Sequence, residues 1–94
     1  MTSNNSESKA DKLATEGMTQ IKAGDYDHAI QSLLESADLY SKEENFKAQA
    51  KQLLITAEIY QMTGQIDLAM KTYKGLIDLL EQLKDNIGYI QKKN

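Results

Sequence analysis

The sequence predicts an all-α protein built from two stacked antiparallel helix hairpins, four helices in all. The 94 residues include no proline, the residue that most often interrupts a helix. Hydrophobic residues make up 40% of the chain, and they recur at the three- and four-residue spacing of helices rather than in the alternation of strands. The segment from Phe46 to Leu80 also repeats, about 40 residues later, a hairpin that runs from Ala10 to Tyr40.

The internal repeat can be read residue by residue. The segment Gly24–Ile30 aligns with Gly64–Met70, and apolar or small positions keep their class while surface positions do not. A repeat of this length is typical of helical solenoids, in which each unit is one antiparallel helix pair. Further aligned pairs are Ala10 with Ala50, Leu13 with Leu53, Gly17 with Ala57, Leu33 with Tyr73, Ala37 with Ile77, and Tyr40 with Leu80.

Composition excludes several classes of function. The net charge of −3 and the pI near 5.0 give no basic surface for nucleic acid, and all eleven basic residues are lysines. The chain has no cysteine, so we expect neither disulfides nor thiolate metal sites. Apolar runs are too short for a membrane-spanning helix, and the N-terminus lacks the apolar core of a signal peptide. We therefore expect a soluble, cytoplasmic protein without cofactors.

The domain is expected to span residues 9–91, after a disordered serine- and asparagine-rich tail at residues 1–8. Repeat one is assigned to residues 9–41 and repeat two to residues 42–91. Glycines at the end of the first helix of each repeat, Gly24 and Gly64, indicate the turn within each hairpin.

The first hairpin has clear helix caps and core faces. Ser8 is a candidate N-cap of helix 1, with Asp11 in the first turn, where a carboxylate suits the helix dipole. Asp25 is expected to cap helix 2. The predicted core face of helix 1 is Ala10, Leu13, Ala14, Gly17 and Ile21, and that of helix 2 is Tyr26, Ala29, Ile30, Leu33, Ala37 and Tyr40.

Helix 3 is predicted to be the central layer. The segment Ser41–Glu44 has the spacing of a capping box that opens it. A helix with apolar residues on two sides is expected to pack on two sides. Its two apolar rows are Phe46, Ala50, Leu53, Ala57 and Tyr60 on one side, and Ala48, Ile55, Ile59 and Met62 on the other.

Helix 4 is predicted to run from near Gln65 to about Ile90. Gly75 interrupts it, either to permit close approach of another backbone or merely as a tolerated residue on the solvent face. A flank of Leu68, Leu79, Leu83 and Ile90 widens its apolar arc. The predicted core stripe is Ile66, Ala69, Met70, Tyr73, Ile77, Leu80 and Ile87.

These residues resemble a pair of tetratricopeptide repeats over residues 10–83. Small and aromatic residues stand at the family's positions: Gly17, Gly24, Tyr26, Ala29, Tyr60, Gly64, Ala69 and Tyr73. The chain departs from the family pattern at its tryptophan positions, which hold Leu13 and Leu53, and at its closing proline, where Ser41 stands. The longer period is similar to that of soluble NSF-attachment proteins and kinesin light chains. Residues 83–88 resemble the start of a third repeat.

A second resemblance covers residues 9–62. Three-helix domains that dock on microtubules and on endosomal transport machinery also combine a small-residue helix with a glycine turn and a second helix. The second repeat unit and the long helix 4 have no place in such a domain, so we rank this alternative lower.

No constellation of residues predicts catalysis. His28, the one histidine of the sequence, has no acid or nucleophile at a meaningful spacing and is interpreted as a surface residue. Asp25 and Asp27 lack the glycine and glutamate that a calcium loop requires, and Glu43 with Glu44 is interpreted as part of a helix cap. We predict no enzyme and no metal site.

The resemblance implies a concave groove lined by the first helix of each repeat. Its residues would be Asp11, Thr15, Met18 and Lys22 with Lys51, Ile55, Glu58 and Met62. Alternatively, Ile55 and Met62 pack against helices 1 and 2. Family members that clamp a C-terminal carboxylate use asparagine and basic residues, whereas here Thr15 and Ile55, or Met18 and Glu58, occupy those positions, so no such clamp is expected.

A second candidate surface is the outer edge of helix 4, formed by Leu79, Leu83, Ile87 and Ile90 with Tyr89 nearby. An exposed apolar strip of this kind often marks an interface, so it could support self-association or bind a partner helix. Alternatively, the chain folds back after Asp85 and Asn86 and covers its own edge. The predicted function is a non-catalytic protein-interaction adaptor or scaffold, with a homodimeric structural bundle as the alternative.

Overall fold

A computed structural model describes the backbone of residues 7–93 and the side chains of residues 7–85. This part of the chain contains four helices and no strand, which confirms the predicted all-α hairpin array. Each helix packs on the next one in sequence, and the array measures 48 × 45 × 17 Å. The helices are α1 (Lys9–Lys22), α2 (Tyr26–Lys42), α3 (Phe46–Met62) and α4 (Ile66–Lys93).

The predicted N-caps of α1 and α2 are confirmed. The backbone N–H of Asp11 donates to Ser8 Oγ at 3.1 Å, and the N–H of Ser8 donates back to the Asp11 carboxylate at 3.3 Å. Asp25 Oδ1 accepts from the N–H of His28 at 3.4 Å. These side chains satisfy donors that have no partner within the helix. Residues 1–6, the greater part of the predicted tail, lie outside the described residues.

The predicted capping box at Ser41–Glu44 is wrong. Ser41 belongs to the last turn of α2, and Asn45 caps α3 by accepting from the N–H of Ala48 at 3.3 Å. The observed cap, Asn45, lies four residues after Ser41, the cap that the pattern indicated. The link between the hairpins is therefore a three-residue turn, as short as the turns inside them.

All three turns use the same backbone geometry. The central residue has a positive φ in each case, 77° at Gly24, 59° at Glu44 and 81° at Gly64. The residue after it donates a backbone hydrogen bond five positions back, as from Asn45 to the Tyr40 carbonyl at 2.9 Å. This is the Schellman arrangement, which satisfies carbonyls at the end of a helix. Glu44 therefore adopts the backbone conformation that glycine adopts in the other two turns.

The core lies where α2 meets α3. Ala29, Ile30 and Leu33 of α2 pack with Ile59 of α3, and all four are buried. Burial of large aliphatic side chains is the main stabilising contribution of such a cluster. Partly buried residues of three helices pack around it: Ile21, Tyr26, Ile55 and Tyr60.

Two serines within α2 are buried, which the hydrophobic pattern did not predict. Ser36 is fully buried, and its hydroxyl donates to the backbone carbonyl of Ala10 at 2.7 Å. Ser32 donates to Gln20 Oε1 at 2.8 Å. Because both hydroxyls have partners on α1, the first hairpin is held by polar contacts as well as by apolar packing.

The central position of α3 is confirmed. Between Phe46 and Tyr60, one narrow row of α3 residues is exposed, and all other residues are buried or partly buried. Met62, predicted to belong to an apolar row, is 60% exposed. The exposed row is Lys47, Lys51, Leu54 and Glu58.

The predicted core stripe of α4 is partly wrong. Ala69 and Leu76 are buried against α3, while Leu79 and Leu83, predicted to form the free edge, are partly buried. The helix is rotated relative to the prediction because Ala69 and Leu76 lie on one face with these two leucines. Four residues of the predicted stripe are instead exposed: Ile66 (49%), Met70 (65%), Ile77 (53%) and Leu80 (47%).

Residues 7–93 do not show the alternative in which the chain folds back after Asp85 and Asn86. The backbone of α4 continues as one helix through Asp85 and Asn86 to Lys93. The side chains of Ile87, Tyr89 and Ile90, part of the predicted edge, lie outside the described residues. In residues 7–93, none of the helices combines the length and the apolarity that crossing a membrane requires.

Candidate functional site

A groove runs between α1 and α3, the first helices of the two hairpins. Its narrower part is a cavity of about 210 Å³. Both walls combine apolar and polar side chains, so the groove can contact an apolar group and a polar group of the same ligand. The lining residues are Ala14, Thr15 and Met18 from α1 and Lys51, Gln52 and Ile55 from α3.

The groove widens toward the start of α1. There it forms an open depression of about 580 Å³, which also reaches Glu7, Asp11 and Tyr40. Both parts share lining residues from both helices, so they form one continuous surface. The shared residues are Ala14, Thr15, Lys51 and Gln52.

A hydrogen bond between Tyr40 and Asp11 fixes the wider end of the groove. The Tyr40 hydroxyl donates to Asp11 Oδ1, and this bond, followed by that from the N–H of Ser8, lowers the pKa of Asp11 below its ordinary value of 3.8. Burial, and then the bond to Asp11, raises the pKa of Tyr40 to about 12. At neutral pH the pair therefore consists of a carboxylate and a neutral phenol.

Lys51 is the basic side chain of the groove. It is exposed and lines both parts of the groove. Among the described side chains it forms no salt bridge, whereas Asp11 is already bonded to Tyr40 and Ser8. The Lys51 ammonium can therefore form an ion pair with the carboxylate of a ligand that lies in the groove.

The structure brings together most of the predicted groove residues. Thr15, Met18, Lys51 and Ile55 line the narrower part and Asp11 lines the wider part. Three others, Lys22, Glu58 and Met62, are exposed and line neither part, so their predicted role in binding has no support from the cavity geometry.

Ile55 combines the two alternatives predicted for it, packing in the core and lining the groove. It packs against the buried cluster of α2 and α3, and its remaining surface faces the groove. Gln52, which was not among the predicted groove residues, is 5% exposed and lines both parts of the groove. No pattern distinguished it, because a polar residue on a helix is ordinarily assigned to the solvent side.

A second surface is the exposed apolar row of α4, which we call the α4 strip: Ile66, Met70, Tyr73, Ile77 and Leu80. Tyr73 is partly buried, and its hydroxyl donates to Gln61 Oε1 at 3.1 Å. Leu79 and Leu83, the two residues of the predicted edge whose side chains are described, lie on another face of α4 and are partly buried. The role of either set in binding stays a prediction.

Side chains that could perform chemistry are dispersed. Contrary to the prediction that His28 has no acid at a meaningful spacing, its Nδ1 lies 2.7 Å from Asp25 Oδ2 at the exposed start of α2, where Asp25 also caps the helix. Asp27 lies in the first turn of the same helix. Among residues with described placement, no three histidine, cysteine, aspartate or glutamate side chains come together as a metal site would require.

Comparison with protein-family models found a similarity that covers most of the chain. A family model described as SNAP, soluble NSF attachment protein, matches residues 1–90. Neither the curated proteins nor the solved structures gave a match. The matched range includes α1, α2, α3 and most of α4, and thus both walls of the groove.

Proposed function

The chain belongs to the soluble NSF attachment protein family, and on this premise we propose that it binds a protein partner in the groove between α1 and α3. The family consists of helical-repeat adaptors rather than enzymes, in agreement with the predicted resemblance to long-helix tetratricopeptide repeats. The observation that carries the proposal is the cavity whose two walls come from the first helices of the two hairpins.

The shape of the groove favours a protein segment over a metabolite, because its wider part, although within the volume range of small-molecule sites, is open to solvent. At about 210 Å³, the narrower part is below the roughly 300–1,000 Å³ typical of small-molecule sites. It can hold one protruding side chain, and the adjoining depression of about 580 Å³ is open and can receive the flanking backbone. An extended or helical peptide supplies both kinds of contact.

The lining residues favour an apolar side chain next to a carboxylate. Met18 and Ile55 present apolar surface at one end of the groove, and Met18 is 41% exposed. Lys51 lies where the two parts join and can pair with an acidic side chain of the ligand. A partner with an acidic residue next to a large apolar one therefore fits both features.

The test uses peptides selected from a random library on the wild-type protein, with binding measured by fluorescence anisotropy. We expect Lys51→Glu to weaken binding at least about tenfold, because it places like charges together. Lys47→Glu is the matched control: it makes the same change on the same exposed row of α3, away from the cavity lining. It should bind like wild type.

A second pair of variants tests the apolar contact. Met18→Asp should weaken binding, whereas Leu34→Asp, at a residue of similar exposure on α2, should not. NSF, the protein that the family description names, is the first full-length partner to assay with the same variants. Equal binding by Lys51→Glu and Lys47→Glu, for every selected ligand, would contradict the proposal.

A further inference from the structure

We propose that the α4 strip is a homodimer interface, in which α4 pairs antiparallel with α4 of a second copy. This inference is independent of the groove, because the α4 strip lines neither part of the groove. The strip residues Ile66, Met70, Tyr73, Ile77 and Leu80 follow one another at alternating spacings of four and three. This is the spacing of a helix seam that packs on another helix.

The internal repeat shows that this face is built to be covered. With the repeat shift applied, Met70, Ile77 and Leu80 correspond to Ile30, Ala37 and Tyr40 of α2. The α2 residues are 8%, 3% and 6% exposed, whereas their α4 counterparts are 65%, 53% and 47% exposed. On α2 this face is covered by neighbouring helices. Among the described residues, the equivalent face of α4 is left exposed.

Head-to-tail stacking of copies does not fit, because α1 is polar where α3 is apolar. Ile55 and Ile59 contribute to the packing of α3, and their counterparts on α1 are Thr15 and Thr19, both exposed. A second copy therefore cannot place α1 on the α4 strip with comparable burial. The remaining arrangement is a two-fold contact of the strip with itself, the commonest type of homodimer.

Charge favours one antiparallel register. When Ile66 faces Ile77 of the second copy and Met70 faces its Tyr73, the two-fold contact consists of apolar layers. Asp67 then lies opposite Lys74 of the second copy, twice by symmetry. Both residues are exposed beside the strip.

Other arrangements are less favourable. A slide of one turn moves Asp67 away from Lys74 of the second copy, and a slide of two turns places Lys84, which follows the strip at the same spacing, opposite Ile66. A parallel pair would place Asp67 and Lys74 near Ala69 and Leu76, which are buried against α3 and carry no charge. The strip offers fewer residues than the roughly 20–30 a side of stable complexes, so we expect a reversible dimer.

The proposal is tested by sedimentation equilibrium of the full chain from about 1 μM to about 1 mM. We expect a concentration-dependent dimer whose Kd rises at least about tenfold in Ile77→Lys and in Met70→Glu. Leu68→Lys, at a residue that is also exposed but off the strip, is the control and should dimerise like wild type. Circular dichroism verifies that each variant remains helical.

The register is tested by charge reversal. Lys74→Asp should weaken the dimer because it faces Asp67 of the second copy, and the double variant Asp67→Lys with Lys74→Asp should restore it. A chain that stays monomeric at every concentration would overturn the proposal. A dimer that tolerates Ile77→Lys, or one that the double reversal fails to restore, would overturn it as well.

Discussion

Leu33 occupies the space that a side chain at Gly17 would need. A Cβ atom at Gly17 would lie 2.7 Å from Leu33 Cδ2 and 2.9 Å from Leu33 Cγ, and Leu33 is fully buried. The absence of a side chain on α1 therefore sets the distance between α1 and α2. The aligned position of the second hairpin holds Ala57.

Gly17→Ala should destabilise the protein by about 1–3 kcal/mol, because the buried leucine has to move. Gly75→Ala is the matched control, since a Cβ at Gly75 would meet nothing within 4 Å. It should stabilise the protein by up to about 1 kcal/mol by raising helix propensity. Urea unfolding measures both changes, and a neutral Gly17→Ala would contradict the close packing of α1 on α2.

The turn between the hairpins predicts a stabilising substitution. Glu44 has φ of 59°, a conformation that costs most residues about 1–2 kcal/mol relative to glycine. Glu44→Gly should therefore raise the free energy of unfolding by up to about 1 kcal/mol. The gain is smaller than the relieved strain because glycine loses more conformational entropy on folding. Gly64→Ala should have the opposite effect, and a Cβ there meets no atom within 4 Å, so strain alone would be measured.

Urea unfolding measures the stability of both turn variants. The unfolding free energy of each variant should depend on urea concentration with the same slope as in wild type. If Glu44→Gly lowers stability, then a contact of the Glu44 side chain outweighs the backbone strain, and the equivalence of the three turns fails.

Ser36→Ala should destabilise the protein by about 1–3 kcal/mol, because it leaves the Ala10 carbonyl without its buried donor. Ser41→Ala is the control: it makes the same substitution at a partly buried hydroxyl near the end of the same helix. Thermal unfolding of the two variants side by side separates the effects. Equal melting temperatures would show that water replaces the Ser36 hydroxyl at no cost.

The pair Asp11 and Tyr40 predicts pH dependence at both ends of the scale. A pKa of Asp11 lowered from 3.8 contributes stability above that pH, and this stability is lost as the pH falls through the folded value. A pKa of Tyr40 raised from 10.0 to about 12 contributes stability that is present below pH 10 and lost as the pH rises toward 12. Alkaline destabilisation should therefore be steep between these values.

Tyr40→Phe tests this pair, because it removes both the phenol and its bond to Asp11. Urea unfolding across pH should show a flatter alkaline limb in Tyr40→Phe, and an acid limb that is also flatter since the Asp11 pKa moves back toward 3.8. Identical limbs in wild type and variant would contradict the assignment.

The fold could be predicted because the repeat and the caps are local signals. Gly24 and Gly64 end helices through their backbone conformation alone, and Ser8 and Asp25 cap helices within one turn. The turn at Glu44 could not be predicted in the same way, because a non-glycine residue with positive φ leaves no trace in composition. The capping-box pattern at Ser41 therefore competed with the true cap at Asn45.

The orientation of α4 could not be predicted because its apolar arc is wide. Periodicity alone does not choose among adjacent apolar rows, and Leu76, buried at 6% exposure, was absent from both predicted rows. Packing against α3 selects Ala69 and Leu76 and leaves Ile77 on the outside. The groove residues Thr15, Met18, Lys51 and Ile55 could be predicted, because the repeat resemblance assigns the first helix of each hairpin to one concave side.

The most direct test of groove binding is an NMR titration of ¹⁵N-labelled protein with a peptide selected on the wild type. Backbone amides of Thr15, Met18, Lys51 and Ile55 should show the largest chemical-shift changes, with the α4 strip unaffected and Lys51→Glu abolishing the changes. Shifts confined to Met70, Ile77 and their neighbours on α4, with the amides of α1 and α3 unmoved, would contradict binding in the groove.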